Sequence, residues 1–222
     1  MRIAVVGGHG QIARLLHPLL VAAGHQPVAL VRGAAQAEAV EALGAGARLL
    51  DIEASDAAGF ATAFAGCDAV VFSAGGGPDG NIERKRTVDL EGALKSIAAA
   101  EQLGIARYVQ VSAIDVDNPV SPDAGPTWAA YVAAKRDSDA AVRASTLAWT
   151  ILRPGRLTDD PPTGLVALGP DVPRRPVTRG DVAAVLAAVV GRADTVGRQW
   201  NLVGGDVPIA EALDGAAADG TP

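Results

Sequence analysis

Cysteine occurs once in 222 residues, as Cys67, which excludes an internal disulfide and suits a reducing compartment. Histidine occurs three times. His9, His17 and His25 are scattered and, with a single cysteine, make no metal site; His17 and His25 read as surface residues. No apolar run reaches bilayer-spanning length, and the first residues already read as a strand, so neither a membrane anchor nor a signal peptide is expected. Basic residues are also short in supply: the net charge is −6 and the pI near 5.0, which argues against nucleic acid or an anionic membrane as a partner. The basic clusters Glu83-Arg84-Lys85-Arg86 and Arg174-Arg175 read as solvated surface. These absences describe a cytoplasmic protein whose partner is a small molecule. Nothing in the sequence reports its oligomeric state.

What is present is a chain 49% apolar with a mean hydropathy of +0.23, long enough for one domain with a sizeable core. Ile3-Ala4-Val5-Val6 is an apolar run without polar alternation, as expected for a parallel strand covered on both faces. After a glycine turn, Ile12, Leu15, Leu16, Leu19 and Ala23 recur at helical spacing, with Pro18 expected to bend that helix. Strands at 28–31, 47–50, 69–72, 108–111, 149–152 and 200–203 alternate with helices at 34–43, 56–64, 82–103, 127–145 and 178–190. Thr178 and Asp181 resemble a capping box for the last of these. The pattern predicts an α/β fold, a doubly wound parallel sheet of the Rossmann type, whose ligands bind at the carboxyl ends of the strands. One domain over residues 1–214 is expected, with a small lid at about 155–180 and a frayed tail at 215–222.

The residues that follow the strands are the candidate cofactor site. Gly7-Gly8-His9-Gly10-Gln11-Ile12 joins the first strand to the first helix. A phosphate needs backbone N–H groups at close range and a helix N-terminus supplies them, while Gly7 and Gly10 allow the approach. His9 lies in the same turn. Arg32 ends the second strand, where an acid would bind ribose hydroxyls and an arginine accommodates a 2′-phosphate; this points to NADP(H) in preference to NAD(H). Asp51 and Ile52 follow the third strand, placed for an adenine or, for Asp51, for helix capping. Ser73, Ala74 and Gly75 follow the fourth, small enough to admit a ligand close to the backbone.

Tyr131 and Lys135 occur in the segment YVAAK, in a chain with two tyrosines and three lysines. At i and i+4 they share one helix face, and Ser112 ends the strand before them. A carbonyl reduced by hydride needs a proton, which a tyrosine acidified by a nearby ammonium can give. Tyr131 is therefore the candidate acid, Lys135 its electrostatic partner and ribose ligand, and Ser112 the group that holds the substrate oxygen.

In order along the chain, AVVGGHGQIA, ALVR, VFSAGGG, VDLEGA, YVQVSA, YVAAK, LAWTILRPGRLTDD and TRGDVA resemble the atypical short-chain dehydrogenase/reductases. The likeness is to the small NAD(P)-binding proteins of the NmrA-like and flavin/biliverdin reductase-like group. The resemblance implies that Pro154, Gly155 and Leu157 lie beside the nicotinamide. It implies hydride transfer between NADP(H) and a small carbonyl or conjugated, flavin- or tetrapyrrole-like substrate. A non-catalytic redox sensor acting through a protein partner is the other role found in that group. Asp89 stands where active members often carry asparagine, and the chain lacks the large C-terminal substrate domain of sugar epimerases.

Overall fold

Four consecutive residues with no solvent exposure, Ile3 to Val6, make the centre of the sheet. The computed structural model describes residues 1–77 and 79–218. Strands β1 (Arg2–Val6), β2 (Gln26–Val31), β3 (Gly46–Leu49), β4 (Ala69–Phe72), β5 (Arg107–Val111) and β6 (Ala148–Pro154) alternate with helices. These are α1 (Gln11–Ala22), α2 (Ala34–Glu41), α3 (Ala57–Phe64), the short α4 (Ile82–Arg84), α5 (Gly92–Leu103) and α6 (Pro126–Ala144). Beyond them come β7 (Leu157–Thr158), β8 (Leu165–Gly169), β9 (Val177–Thr178), α7 (Arg179–Val189), β10 (Arg198–Gly204), β11 (Val207–Pro208) and α8 (Ile209–Ala218).

The main sheet runs β11-β8-β10-β6-β5-β4-β1-β2-β3 and is parallel from β3 to β10, with β8 antiparallel at its far side. The strand order reverses at β1 and β4, which puts the crevice of a doubly wound sheet between their carboxyl ends. Alternate strand residues feed two cores. Ile3, Val5, Val109 and Leu152 pack against α1, α7 and α8, while Ala4, Val6, Tyr108 and Ile151 pack against α3, α5 and α6.

Several sequence expectations are corrected. The buried face of α1 is Ile12, Ala13, Leu16, His17 and Leu20; Leu15 and Leu19 are exposed. His17, expected at the surface, is fully buried. The long helix over 82–103 is not uniform, because Lys85–Glu91 forms a π-helical turn between α4 and α5. The segment expected as a lid contributes β8 to the main sheet and the separate β7–β9 pair. Asp181 fastens it: its carboxylate accepts from the Thr163 and Gly164 amides, at 3.1 and 2.8 Å. Thr178 caps α7 as predicted, accepting from the Asp181 amide at 2.9 Å. Gly215–Ala218, expected in the tail, complete α8, because Leu213 and Ala216 recur at helical spacing and are buried. Residues 219–222 lie outside the described residues.

Burial raises the pKa of both tyrosines above the ordinary 10.0, most strongly that of Tyr108, whose hydroxyl donates to Ser96 Oγ at 3.2 Å. A raised folded pKa means that the folded state holds the proton more tightly, so this stability is complete below pH 10 and is lost as the pH rises through the folded values. In a Tyr131→Phe variant, which leaves Tyr108 alone, phenolate absorbance at 295 nm should therefore appear only together with loss of the far-ultraviolet circular dichroism. Tyr108 titrating near pH 10 with the dichroism intact would contradict its burial.

Candidate functional site

The three glycines after β1 serve different purposes. Gly7 has φ +77, and a Cβ there would lie 2.7 Å from Ala74 Cα. A Cβ on Gly8 would lie 2.7 Å from that of Ala29, so this glycine lets the loop press against β2. A Cβ on Gly10 would meet only the Gly7 carbonyl oxygen, at 3.0 Å, and the Ser73 carbonyl oxygen, at 3.9 Å. Its other side is open. Gly10 is also the N-cap of α1 and supplies no side chain, leaving the first amides of the helix available to an incoming acceptor.

Beneath this loop, His17 Nε2 lies 2.7 Å from the Gly8 carbonyl oxygen. A carbonyl only accepts, so Nε2 carries the proton and Nδ1 is bare; Nδ1 is buried without a hydrogen-bond partner. Burial holds the His17 pKa below its ordinary value, against the opposing pull of the Gly8 bond. The imidazole is thus neutral at physiological pH. The Gly8 amide donates to the Leu30 carbonyl at 3.0 Å, so this residue is held on both sides. In a trans peptide, the His9 N–H points opposite to the Gly8 carbonyl, away from His17.

The loop opens into a cleft of about 220 Å³ that brings together Gly7, His9, Gly10, Arg32, Asp51, Ile52, Ser73, Ala74 and Gly75. Gln36, Glu53 and Arg84, which the sequence did not single out, also line it. Gly8, Gln11 and Ile12 do not: Gly8 and Ile12 are buried behind the loop and Gln11 is exposed at the start of α1. Asp51 caps no helix. Its Oδ1 accepts from the Glu53 and Ala54 amides at 2.9 and 3.3 Å, closing a turn, while Asp56 caps α3. Lys95 on α5 holds the same turn, donating to the Ile52 and Ser55 carbonyls at 2.6 and 2.8 Å. Glu53 accepts from Thr87 Oγ1 at 2.7 Å and lies 3.6 Å from Arg84 Nε. The Arg32 guanidinium is exposed and has no hydrogen bond or ion pair among the described residues. Ser73 Oγ is buried and unpartnered. An open glycine face, uncapped helix amides, an unpaired guanidinium and an orphaned hydroxyl along one cleft fit a bound dinucleotide.

Ser112, just past the end of β5, lies near Tyr131 and Lys135 in the body of α6, outside that cleft. Lys135 is buried, with Nζ 3.1 Å from Asp89 Oδ1 on the π-turn and 3.2 and 3.4 Å from the Val111 and Ala74 carbonyls. Burial, the largest influence, works against its charge, but Asp89, Tyr131 and Asp139 together hold the Lys135 pKa above its ordinary value. Tyr131 is half-buried, its ring tilted against Trp128 with centroids 5.4 Å apart. Its pKa is not lowered as expected. Burial raises it, Lys135 opposes this, and Asp89 and Asp139 reinforce it.

Asp139, one further turn along α6, went unnoticed in the sequence although it continues the Tyr131–Lys135 stripe at i+8. It is fully buried and accepts from Ser112 Oγ at 2.7 Å, Gln110 Nε2 at 2.8 Å and Arg153 Nε at 2.9 Å. Arg153 also pairs with Asp117 at 2.6 Å. Pro154 ends β6, and its carbonyl accepts from the Ile114 amide at 2.9 Å. Gly155 is required by packing, because a Cβ there would lie 2.3 Å from the Arg175 carbonyl oxygen. Leu157 packs against the core beside α7. Among the described residues, no group of three or more His, Cys, Asp or Glu side chains could hold a metal ion, and no helix is long and apolar enough to cross a membrane.

The chain resembles known proteins along its whole length. It is 38% identical to the Bacillus subtilis protein named uncharacterized sugar epimerase YhfK, over 96% of this chain and 99% of that one. A solved structure from Bacillus halodurans, provisionally named an NAD-dependent epimerase/dehydratase, is 38% identical and superposes with a TM-score of 0.89, covering 97% of this chain and 99% of that one. The Lactococcus lactis oxidoreductase ylbE is 27% identical with a TM-score of 0.84, covering 97% and 96%. The sequence profile of the NAD(P)H-binding family matches residues 7–193. The chain belongs to the NAD(P)H-binding family, among Rossmann-fold proteins of oxidoreductase and epimerase type.

Proposed function

We propose that this protein is an NADP(H)-dependent oxidoreductase that passes hydride from the nicotinamide to a small carbonyl or conjugated substrate. The observation that carries the cofactor choice is the imbalance of charge at the adenosine end of the cleft. Asp51 is engaged by backbone amides and Glu53 by Thr87 and Arg84, whereas Arg32 has no partner among the described residues. A 2′-phosphate supplies the missing anion. Gly10 and the amides of α1 would hold the pyrophosphate, and Ser73, Ala74 and Gly75 would lie along the far wall. Lys135 would reach the nicotinamide ribose, with Pro154, Gly155 and Leu157 near the nicotinamide. When bound, the nucleotide supplies the hydride.

Tyr131 is the proton donor in this reading. A phenol whose pKa is raised stays protonated, which suits reduction, where the product oxygen must receive a proton. The same shift opposes oxidation of an alcohol, which needs the phenolate as base. An epimerase working through transient oxidation of a sugar hydroxyl, the activity in the name of the Bacillus subtilis relative, would need that base. Reduction is therefore the favoured direction.

Arg32→Ala should lose roughly 10- to 150-fold in NADPH affinity, the equivalent of a charge-assisted contact of about 1.5–3 kcal/mol, and leave NADH binding nearly unchanged. Titration of each variant with both cofactors checks this; equal losses would make Arg32 structural.

Tyr131→Phe keeps the ring against Trp128 and removes only the hydroxyl. With a carbonyl substrate, turnover should fall roughly 10²- to 10⁴-fold; with a flavin-like acceptor, where negative charge is delocalised and water can deliver the proton, it should change little. A full-rate Tyr131→Phe enzyme on a carbonyl would remove Tyr131 from the chemistry.

His17 should act on cofactor affinity from beneath the loop. His17→Leu fills the apolar pocket but frees the Gly8 carbonyl, and NADPH should bind about tenfold more weakly, as for one lost hydrogen bond of about 1 kcal/mol and a loosened loop. His17→Gln, whose amide can still donate there, should restore most of the affinity. A His17→Leu protein with changed stability but unchanged NADPH affinity would show that the bond serves folding alone.

A further inference from the structure

The buried Asp139 carboxylate decides which way the Ser112 hydroxyl can point. Gln110 Nε2 and Arg153 Nε are donors with no capacity to accept, so the carboxylate they face is the acceptor for both. Burial pushes the Asp139 carboxyl above the ordinary carboxylate range. The guanidinium at 2.9 Å and the bonds from Ser112 and Gln110 oppose this and favour the ionised form, the one that can accept all three bonds. An ionised carboxylate accepts and never donates, so in the 2.7 Å contact the proton belongs to Ser112. A serine has a single hydroxyl proton, and here it is committed inside the protein. What Ser112 can still offer outward is a lone pair.

We infer that Ser112 meets the substrate as a hydrogen-bond acceptor, and that the site takes substrates carrying an N–H or O–H donor beside the carbon that receives hydride. The inference rests on reading this site as that of an oxidoreductase, and it revises the expectation that Ser112 holds a carbonyl oxygen. That oxygen needs a donor, which Ser112 has already given to Asp139. Tyr131 is the complement: its hydroxyl makes no hydrogen bond among the described residues and is free to donate. One donor and one acceptor match an α-keto lactam or an α-hydroxy ketone, each of which sets a reducible ketone next to the carbon that bears an N–H or O–H. A plain ketone satisfies only the tyrosine.

Isatin and N-methylisatin form a matched pair of probes, because both carry the reducible ketone and only isatin has the lactam N–H. Each is titrated calorimetrically into the protein saturated with NADP⁺, so that no turnover is needed. The wild type should bind isatin roughly tenfold more tightly, the usual scale for one hydrogen bond. Ser112→Ala should weaken isatin itself by a similar factor and erase the preference. A site that merely excludes the methyl group would instead gain affinity for N-methylisatin in Ser112→Ala and leave isatin unchanged. Asp139→Asn, whose amide can donate to Ser112 and release its proton, should also narrow the preference. Equal wild-type affinities, no measurable affinity for either probe, or a Ser112→Ala protein that binds isatin as tightly as the wild type would each overturn the inference. NADPH consumption tests the oxidoreductase reading separately, so turnover accompanied by equal affinities would sink this proposal alone.

Discussion

The Asp89 carboxylate has no exposure to solvent, yet it joins three parts of the chain. Its Oδ2 accepts from the Gly76 amide at 2.8 Å, in the loop after β4. Its Oδ1 pairs with Lys135 on α6, and the same ammonium reaches the carbonyls of Ala74 and Val111. A buried charge is tolerated only when it is paired, and removing one partner of such a pair costs about 3–5 kcal/mol. The loop after β4, the end of β5 and the middle of α6 are therefore fixed to one another. The π-helical turn belongs to this arrangement. It carries Asp89 and also Lys85, whose ammonium donates to the Gly77 carbonyl, so both side chains bind the same loop. Single π-turns within helices are uncommon and concentrate at functional sites.

This ion pair also sets the electrostatics around Tyr131. An unopposed lysine would draw the Tyr131 pKa down. Here its charge is largely answered by Asp89, and burial of the phenol prevails. One turn further along α6, Asp139 is matched by Arg153, which Asp117 engages in turn. The cluster around Tyr131 and Ser112, beside the cleft, is thus built from compensated charges, and Asp139 orients Ser112. The adenosine end differs, because its acids are engaged and Arg32 is left over. A ligand anionic at one end and uncharged at the other complements this asymmetry.

The strands were legible because each is a short apolar run ended by glycine or a polar residue, and their regular alternation with helices forces the parallel sheet. The glycine loop was legible from its position between β1 and α1. The face of α1 was not. Its apolar periodicity counts Leu15 and Leu19 inward, and hydrophobicity cannot register that a histidine is buried by a bond to the Gly8 carbonyl. The π-turn leaves no mark in a helical pattern, since its residues have ordinary helix-forming types. β8 and β11 were missed because they pair antiparallel at the sheet's edge, where no crossover helix announces them. Asp139 could have been found, as a polar residue continuing the Tyr131–Lys135 spacing on one face of α6. Arg153 could have been flagged as a charge ending an apolar strand. What the sequence withheld was the direction of each hydrogen bond, and that direction assigns the proton of Ser112.

The parts of the cleft are held before any ligand arrives. Gly7 sits in a left-handed conformation, close enough to Ala74 that a Cβ would not fit, and Gly8 is bound on one side by β2 and on the other by His17. Lys95 fixes the turn that carries Asp51 and Ile52, and a Cβ on Gly92 would lie 2.6 Å from Ile52 Cγ2, so α5 also buttresses that wall. Asp89 secures the opposite side. A loop already in its bound conformation loses little further entropy on binding, and that saving appears directly as affinity. Arg32 at the mouth and Ser73 Oγ within are polar groups of the cleft without partners among the described residues. A loop and walls held by packing and hydrogen bonds, with Arg32 and Ser73 left unpaired along the cleft, are the arrangement expected where recognition depends on shape and a few polar contacts. Folding has fixed where those contacts fall, and the charge left over at Arg32 favours a ligand that is anionic at that end.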